Sequence, residues 1–543
     1  MDYKKLSELL YPDITITPEE IMQKYPPRAL KPGEVVSRFA PSPTGFMHIG
    51  GFFQVLIDRS LAKNSGGVFF LRNEDTDKKR QVEGAMDIVF DVLKRFAQEP
   101  DEYQKIGEEP VGNYGPYIQS LRTDIYKVFA KKLVAEGKAF PCFCKKTEGK
   151  EEILKAREER FSENDTNVEY DPCRDLSYEE VKKHIDNGEK FAIRLKTPND
   201  GSHKMTFTDI VKGEVELPEN AKDIILIKND GIPPYAFAHA IDDTLMGTTI
   251  VVRGEEWFTS TPAHIDIFNA LGFKPLKYYH TPNICKIDEN GGKRKLSKRK
   301  DPESNMQYFF EEGYPTLSVI EYLLNLISSS FEPWRAKNPD ADYTEFKFGI
   351  KDITAISPLF DFIKLNDISK NVVARMTAEE VYAEWLKWAE EYKPELAEML
   401  KKRKDYAIKV CGIGRGGVKP RKDIYKWSMI EELYGYMFHE PVLVDEIDNK
   451  ANYKEFLAEY SKNFKFPADK DAWFAEVKQV AEKLGYATDN KLYKANPEAF
   501  KGNTAKACEY IRLALTGLKN SPDIYELMTI LGEEETKKRL QNF

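Results

Sequence analysis

The sequence lacks the long apolar run that a membrane-spanning helix needs. No stretch of about 18 consecutive apolar residues occurs, and the first ten residues lack the apolar centre of a secretion signal. Cysteine is scarce, with six residues in 543 and a single close pair, Cys142 and Cys144. This cysteine content is typical of a reducing compartment. We therefore expect a cytoplasmic protein with no membrane association.

Internal repeats, low-complexity tracts and an excess of positive charge are also missing. Hydrophobic residues make up 41% and charged residues 31% of the chain, as in a globular protein, and 543 residues exceed what one core organises. The net charge of −8 argues against a nucleic-acid partner for the surface as a whole. A local basic face can still bind one, and the candidates are residues 293–300 and 415–426.

A strand, a Pro/Gly loop and a helix start follow one another at residues 38–51, which read Arg-Phe-Ala-Pro-Ser-Pro-Thr-Gly-Phe-Met-His-Ile-Gly-Gly. The valine-rich stretch 34–40 predicts a strand and residues 52–62 predict a helix. Free N–H groups and the positive dipole end of a helix N-terminus attract anions. His48 adds a donor there, although an ordinary strand–helix turn fits the same pattern.

A second unusual segment lies far downstream, where residues 293–300 contain six cations in eight positions. Taken alone, such a run is typical of a solvated surface or of a nucleic-acid patch. Glycines at 291 and 292 and a proline at 302 flank it. The segment indicates a specific function only when it is considered together with the first one.

The two segments in this order resemble the HIGH and KMSKS signatures of class I aminoacyl-tRNA synthetases. The first appears as His-Ile-Gly-Gly at 48–51 and the second as Lys-Leu-Ser-Lys-Arg at 295–299. The first motif is similar to the glutamyl version, since glutaminyl enzymes typically carry Glu where Ser42 stands and His where Gly51 stands. Residues 71–77 and 252–257 match the glutamyl family as well. The resemblance extends from about residue 35 to the C-terminus.

The resemblance implies an α/β fold: a Rossmann-type parallel-sheet catalytic domain, an inserted acceptor-stem-binding domain, and an all-α C-terminal anticodon-binding half. Further strands are predicted at 66–72, at 224–228, where the sheet resumes, and at 249–253. The expected divisions are an N-terminal helical extension that packs on the rest (1–34), the first catalytic half (35–114), the insertion (115–228), the second catalytic half (229–290), the KMSKS loop and stem-contact domain (291–370) and the helical anticodon-binding domains (371–543). Helices are predicted at 120–138, 260–271, 315–328, 377–403, 470–484 and 504–517.

The family motifs assign the chemistry residue by residue. His48 and Lys298 are the expected catalytic residues. The expected ATP-binding set is Pro41, Thr44, Gly45, His48, Gly50, Lys295, Ser297 and Lys298. Mg²⁺ is expected to accompany the triphosphate with few protein ligands, so no dedicated protein metal site is predicted.

The expected amino-acid pocket consists of Arg38, Ala40, Ser42, Glu74, Tyr235 and Arg253. A carboxylate such as Glu74 accepts hydrogen bonds from an ammonium, and a guanidinium pairs bidentately with a carboxylate. Because glutaminyl relatives generally lack arginine at position 253, Arg253 is the expected discriminator. The role of His239 stays open. In the C-terminal half, the basic loop 414–423 predicts tRNA contacts by Arg415 and Arg421.

Three cysteines raise the question of zinc. Cys142, Cys144 and Cys173 resemble a Cys-x-Cys…Cys-x-His site of some bacterial members, but Asp175 stands where the histidine would be, with Tyr170 nearby. Structural zinc needs four ligands. Zinc binding and spare thiols therefore remain alternatives.

The implied activity is ATP-dependent conversion of L-glutamate to glutamyl-adenylate, followed by transfer to the 3′-terminal adenosine of tRNA(Glu), by an enzyme expected to be monomeric. Three alternatives remain. A truncated paralogue that glutamylates a modified tRNA base lacks the helical tail, and a non-catalytic relic would have lost His48 or Lys298. A glutaminyl enzyme is disfavoured by Ser42, Gly51 and Arg253.

Overall fold

A computed structural model describes residues 1–144, 171–417, 419–462 and 464–542. The chain forms two compact units. The first comprises Met1–Tyr308 and Ile320–Asp361, and the second comprises Phe309–Val319 and Phe362–Phe543. Among the described residues, no helix combines the length and the apolar character that crossing a bilayer requires.

Eleven strands occur in the described residues, all of them in the first unit. They are β1 (Val36–Phe39), β2 (Val68–Leu71), β3 (Ala139–Cys142), β4 (Ala192–Leu195), β5 (Lys204–Asp209), β6 (Gly213–Pro218), β7 (Ile225–Ile227), β8 (Ile250–Gly254), β9 (Lys277–Thr281), β10 (Cys285–Ile287) and β11 (Lys293–Lys295).

Helices connect these strands and form most of the second unit. In the first unit they are α1 (Tyr3–Leu10), α2 (Pro18–Lys24), α3 (Ile49–Ser65), α4 (Ala85–Arg95), α5 (Thr123–Ala135), α6 (Tyr178–Asp186), α7 (Tyr235–Leu245) and α8 (Thr261–Leu271). Those that follow are α9 (Met306–Glu311), α10 (Thr316–Ile327), α11 (Phe331–Lys337), α12 (Phe362–Arg375), α13 (Ala378–Tyr392), α14 (Pro394–Lys402), α15 (Lys404–Cys411), α16 (Ile430–Tyr434), α17 (Lys450–Lys462), α18 (Lys470–Lys483), α19 (Asn490–Ala495), α20 (Thr504–Thr516) and α21 (Ile524–Gln541).

The parallel sheet is formed by two strand pairs. β1 pairs with β2 in parallel, β8 pairs with β9 in parallel, and the pairs adjoin where the Thr249 N–H donates to the Val36 carbonyl at 2.9 Å. All four residues of β1 and all five of β8 are buried, as expected for strands covered on both faces. The hairpin of β5 and β6 extends the sheet beside β9. The predicted Rossmann-type core is confirmed.

The prediction that this sheet resumes at residues 224–228 is wrong. The strand there, β7, pairs antiparallel with β4 in a separate three-stranded sheet whose order is β3-β4-β7. A short apolar run predicts a buried strand, but it does not identify the neighbouring strand. The parallel sheet resumes only at β8, which follows α7.

The N-terminal segment that carries α1 and α2 packs against α5. Leu6, Leu10 and Ile21 of α1 and α2 share a hydrophobic core with residues of α5. A bidentate ion pair between Arg28 and Glu102 ties down the segment that follows. The predicted packing role of this extension is confirmed.

The second unit is helical, and no strand occurs after Lys295 in the part of the chain that the structure describes. The predicted helix at 377–403 divides at Lys393, because Pro394 cannot donate a backbone hydrogen bond and starts α14 as its first residue. A capping box between Thr377 and Glu380 starts α13. The all-α half is therefore confirmed.

Candidate functional site

His48 closes the loop between β1 and α3 and caps the helix. Its Nδ1 accepts a hydrogen bond from the Gly50 N–H at 3.0 Å, so the neutral ring carries its proton on Nε2. Burial, followed by the nearby Lys298 and Lys295, lowers the pKa of His48 to about 4. The helix N-terminus thus presents a neutral imidazole donor and the positive end of the helix dipole, while His48 itself accepts the backbone N–H groups of Gly50 and Gly51.

The second motif lies beside this loop, although more than 240 residues separate the two in sequence. Lys298 Nζ lies 4.8 Å from the centre of the Phe46 ring, and the Met306 N–H donates to the Met47 carbonyl at 3.0 Å. Partial removal from water lowers the pKa of Lys298. The structure therefore brings the predicted catalytic pair, His48 and Lys298, to one place.

A buried carboxylate that the sequence did not single out shapes the second motif. Asp301 accepts hydrogen bonds from Nη1 and Nη2 of Arg294 at 2.6 and 2.8 Å, and it accepts one from the Ser297 backbone N–H at 2.8 Å. The bonds from Arg294 come first among the causes that hold the pKa of Asp301 at about 2. Asp301 thereby fixes the turn that carries Lys298.

All six residues predicted for the amino-acid pocket line one cavity of about 1130 Å³. It opens beyond the carboxyl ends of β1, β2 and β8, where ligands bind in open α/β sheets. Glu256 also lines it and lies 3.7 Å from Lys295 Nζ, which connects the cavity to the second motif. Of the predicted ATP set, Pro41, Thr44, Gly45 and Gly50 belong to the His48 loop rather than to the cavity wall.

A buried ion network forms the floor of the cavity. Arg38 Nε contacts both carboxylate oxygens of Asp243 at 3.1 Å, and Arg72 bridges Asp243 at 2.7 Å and Glu74 at 2.8 Å. Burial alone would raise the pKa of Asp243, but Arg38 and Arg72 outweigh it and hold that pKa well below its usual range. Arg38 therefore enters the site with its charge already paired.

Glu74 is the acidic group of the cavity. Burial raises its pKa to about 7, against the opposing effect of Arg72 and Arg38. Only Oε1 is engaged by Arg72, so Oε2 is available to a ligand. A cationic group entering the cavity would stabilise the ionised form, as an ammonium does.

His239, whose role the sequence left open, supports this network from α7. Its Nδ1 bonds to Asp243, and its Nε2 lies 3.3 Å from the Tyr278 hydroxyl. Burial lowers the pKa of His239 to about 4, which keeps it neutral. Tyr235 stacks on its ring at 5.2 Å and contacts Trp257 at 4.4 Å, so aromatic rings form one cavity wall.

Arg253 differs from Arg38 because neutral groups hold it. Nε donates to His280 Nε2 at 2.9 Å, Nη1 bonds to His264 Nδ1 at 2.8 Å, and Nη2 donates to Thr261 Oγ1 at 2.9 Å. The side chain is buried, and no carboxylate among the described residues forms an ion pair with it. A buried guanidinium without a carboxylate is a strong candidate for binding an anionic ligand group.

The cysteine question receives a partial answer. The ligand atoms of Cys142, Cys144, Cys173 and Asp171 all lie within 4.8 Å of one another, and the Cys144 and Cys173 sulfurs are 3.6 Å apart. This set of four S and O donors suits tetrahedral zinc. Asp171 supplies the carboxylate, whereas Asp175, which stands where the family's histidine would be, is not part of the group; Tyr170 lies outside the described residues.

The two arginines predicted to bind tRNA differ in their surroundings. Arg415 donates to the backbone carbonyls of Cys411 and Val373 at 2.6 Å, so it satisfies the ends of α15 and α12. Arg421 is exposed, and its Nε donates to Asp423 at 2.8 Å. Arg415 thus has a structural role that the sequence did not suggest, and Arg421 is the more accessible candidate.

Several further residues of the site were missed from the sequence. Arg72 lies inside the segment 71–77 already singled out, where a charged residue at the end of a predicted strand is the signal that could have identified it; Asp243 follows Asp242, and this acidic pair is the signal in that stretch. His264, His280 and Asp301 lack such a signal, because they act through contacts made across long sequence separations.

Comparison with known proteins extends these observations. The family model described as tRNA synthetases class I (E and Q), catalytic domain, matches residues 34–332, and the one described as Anticodon binding domain matches residues 387–543. A glutamate–tRNA ligase of Clostridium perfringens (strain SM101 / Type A) is 46% identical over 554 aligned residues, and one of Acetivibrio thermocellus is 43% identical over 555; each alignment covers 100% of both chains.

Solved structures show the same likeness. The crystal structure of a glutamate tRNA ligase from Elizabethkingia meningosepticum in complex with its amino acid has a TM-score of 0.74 and is 27% identical, covering 93% of this chain and 98% of that one. The family matches and the full-length relatives agree with the adjacency of the two motifs: the chain belongs to the class I aminoacyl-tRNA synthetases of the glutamyl and glutaminyl (E and Q) type.

Proposed function

We propose that this chain is a glutamate–tRNA ligase, which activates L-glutamate with ATP and transfers it to the 3′-terminal adenosine of tRNA(Glu), releasing AMP and diphosphate. The observation that carries the proposal is the cavity that joins Glu74 to the carboxylate-free Arg253. Full-length relatives that bear the name glutamate–tRNA ligase support it. Arg253 and the relatives both disfavour a glutaminyl enzyme.

Activation is an attack by the glutamate α-carboxylate oxygen on the α-phosphorus of ATP, which forms the adenylate and expels diphosphate. Charge builds up on the phosphate oxygens, so the protein acts mainly by positioning and by charge stabilisation. Lys298 supplies a cation beside the His48 loop, and the N-terminus of α3 supplies the positive end of its dipole. His48, neutral and capped on Nδ1, donates its Nε2 proton toward a phosphate oxygen.

The amino acid is placed by charge. Glu74 accepts hydrogen bonds from the substrate ammonium through Oε2, and Arg253 binds the side-chain carboxylate. Arg38, Ala40, Ser42 and Tyr235 complete the pocket. Because Arg38 is paired with Asp243, its remaining N–H groups orient the substrate without providing a free charge.

Mg²⁺ is part of the proposal as the companion of ATP, where it offsets the charge of the phosphates when bound. Neither of the two groups of potential metal ligands found in the described residues includes a residue of the two ATP motifs. We therefore infer that phosphate and water oxygens, rather than a protein cage, surround the ion.

The tRNA would be read by the helical half, in which residues 387–543 match the anticodon-binding family model. We place the acceptor stem on the insertion (115–228) and stem contacts on residues 291–370. Within the loop 414–423, Arg421 is the proposed phosphate contact, and Arg415 contributes through the shape of the loop. A monomer in the cytoplasm remains part of the proposal.

We also infer that Cys142, Cys144, Cys173 and Asp171 hold a zinc ion with a structural role and no part in catalysis. Metal analysis of the purified protein tests this, with one equivalent of zinc expected. Replacing Cys144 by serine should abolish the zinc while glutamate activation persists. Full zinc content in that variant would exclude the site.

The activity is tested with radiolabelled glutamate and glutamine, each offered with purified glutamate- and glutamine-type tRNA. Glutamate attached to the terminal ribose of tRNA(Glu) is the expected product. Attachment to a modified base would identify the activity of the paralogue, and charging with glutamine would identify a glutaminyl enzyme. The absence of adenylate with either amino acid would indicate a non-catalytic relic.

A further inference from the structure

The guanidinium of Arg253 is held by two imidazoles, each of which accepts a hydrogen bond from it. His280 accepts from Nε at 2.9 Å, and His264 accepts from Nη1 at 2.8 Å. The remaining contacts are to the Thr261 hydroxyl and, at 3.4 Å, to the Trp257 carbonyl. The second hydrogen of Nη1 has no acceptor within the described part of the chain.

The proton positions follow from the next layer of contacts. His280 Nδ1 lies 2.8 Å from Asp209 Oδ2, so that nitrogen carries the proton and leaves Nε2 bare for Arg253. Asp209 also accepts the backbone N–H groups of Val211, Lys212 and His280 at 2.9–3.1 Å, which occupies both of its oxygens. The carboxylate thus fixes the ring of His280 and is separated from Arg253 by it.

His264 follows the same logic from α8. Its Nδ1 faces a guanidinium, which only donates, so the ring proton resides on Nε2. Burial and then the charge of Arg253 lower the pKa of His264 well below its usual range, and burial likewise lowers the pKa of His280. Both rings remain neutral acceptors, so neither ring offsets the positive charge of the guanidinium.

Arg38 and Arg253 differ in the charge of the groups that hold them. Arg38 is fixed just as firmly, but by the carboxylate of Asp243. A carboxylate at the position of His264 would fix Arg253 equally well and would also neutralise it. A substrate with an amide side chain would then bind almost as tightly as one with a carboxylate side chain, because Arg253 would already be paired with an anion.

We propose that His264 and His280, the latter oriented by Asp209, are positioning residues that determine specificity: they hold Arg253 without neutralising it, so the pocket selects an anionic side chain over its amide. The inference rests on the proposed function and deepens it. Nothing in the neighbouring sequence indicated these histidines, since they meet Arg253 from two separate elements.

The test compares variants that differ by one charge at constant shape. In His264→Asn the Oδ1 atom replaces the accepting Nδ1, and His264→Asp adds a negative charge at the same position. Diphosphate exchange with glutamate and with glutamine, run with tRNA present, gives the two values of kcat/KM. We expect the asparagine variant to lose about 3- to 10-fold for glutamate while keeping its preference over glutamine. The aspartate variant should narrow that preference by on the order of 10²-fold.

The variants His280→Gln and His280→Glu make the same comparison at the second histidine, where Oε1 replaces the accepting Nε2. If circular dichroism shows that His264→Asp does not fold, this second pair is used instead of the first. A third variant, His264→Ala, removes the acceptor without adding charge and should raise the KM for glutamate more than it lowers kcat. Equal preferences in the Asn and Asp variants, or in the Gln and Glu variants, would overturn the inference. So would a loss confined to kcat in the alanine variant.

The proposed function is checked separately in the same assay. If the unaltered protein activates neither amino acid, the proposed function fails. A second outcome is that Arg253→Ala abolishes the preference for glutamate while the neutral and the charged variant at each histidine show the same preference. In that case the proposed function stands and this inference fails.

Discussion

Replacing Lys298 by alanine should reduce adenylate formation by about 10²–10³-fold. An ammonium about 4 Å from a phosphate oxygen is worth roughly 1 kcal/mol in water and about 4 kcal/mol near a protein surface. Lys298 Nζ lies 4.8 Å from the centre of the Phe46 ring at the protein surface, so its contribution lies between these two limits. A loss of about 2.7–4 kcal/mol of transition-state stabilisation corresponds to the stated factor.

The assay is diphosphate exchange with glutamate at saturating ATP, together with tRNA binding measured separately. Lys300→Ala is the matched control, because Lys300 belongs to the same charged segment, is exposed, and forms no ion pair among the described residues. Lys298→Arg should retain part of the activity, since it keeps the charge. The reasoning is refuted if Lys298→Ala and Lys300→Ala reduce exchange equally, or if exchange is nearly normal and only tRNA affinity falls.

Three further outcomes are expected. Because burial raises the pKa of Glu74 to about 7, the KM for glutamate should fall as the pH rises from 6 to 8; Glu74→Gln should remove this dependence, and an unchanged slope would assign it elsewhere. Arg421→Glu should lower the salt-dependence slope of tRNA binding by about one, whereas Arg415→Ala should lower the melting temperature without changing that slope. Gly50→Ala places a Cβ 3.1 Å from His48 Nδ1, so exchange should drop with the fold intact by circular dichroism, and wild-type rates would contradict the crowding.

The elements around the two motifs could be predicted because their signals are local. The ends of β1, α3, β2 and β8 lie within two or three residues of the predicted positions. The spacing of apolar residues and the flanking Pro and Gly that predict them all lie within a few residues of each element. The six residues of the pocket followed from family motifs, and the structure places them around one cavity.

What the sequence could not supply is the pairing between distant residues. The partner of β7 depends on which apolar strand lies beside it, and a strand's own sequence does not encode that choice. Likewise, Arg253 and Arg38 look alike in sequence, each near the end of a strand, yet one meets imidazoles and the other a carboxylate. The sequence predicts a tRNA contact for Arg415, but its guanidinium donates to backbone carbonyls of its own unit.

The turn organised by Asp301 also sorts the charges of the second motif. Asp301 neutralises Arg294, and Lys295 faces Glu256, so two of the three cations at the beginning of the basic segment are paired with carboxylates. Lys298, Arg299 and Lys300 form no ion pair with a carboxylate among the residues that the structure describes. Six cations that look equivalent in sequence thus differ in the structure, and the three cations without a carboxylate partner in the described part of the chain lie together at the end of the turn that faces the His48 loop. An incoming polyanion would be drawn first to that end, which the buried Asp301 leaves uncompensated.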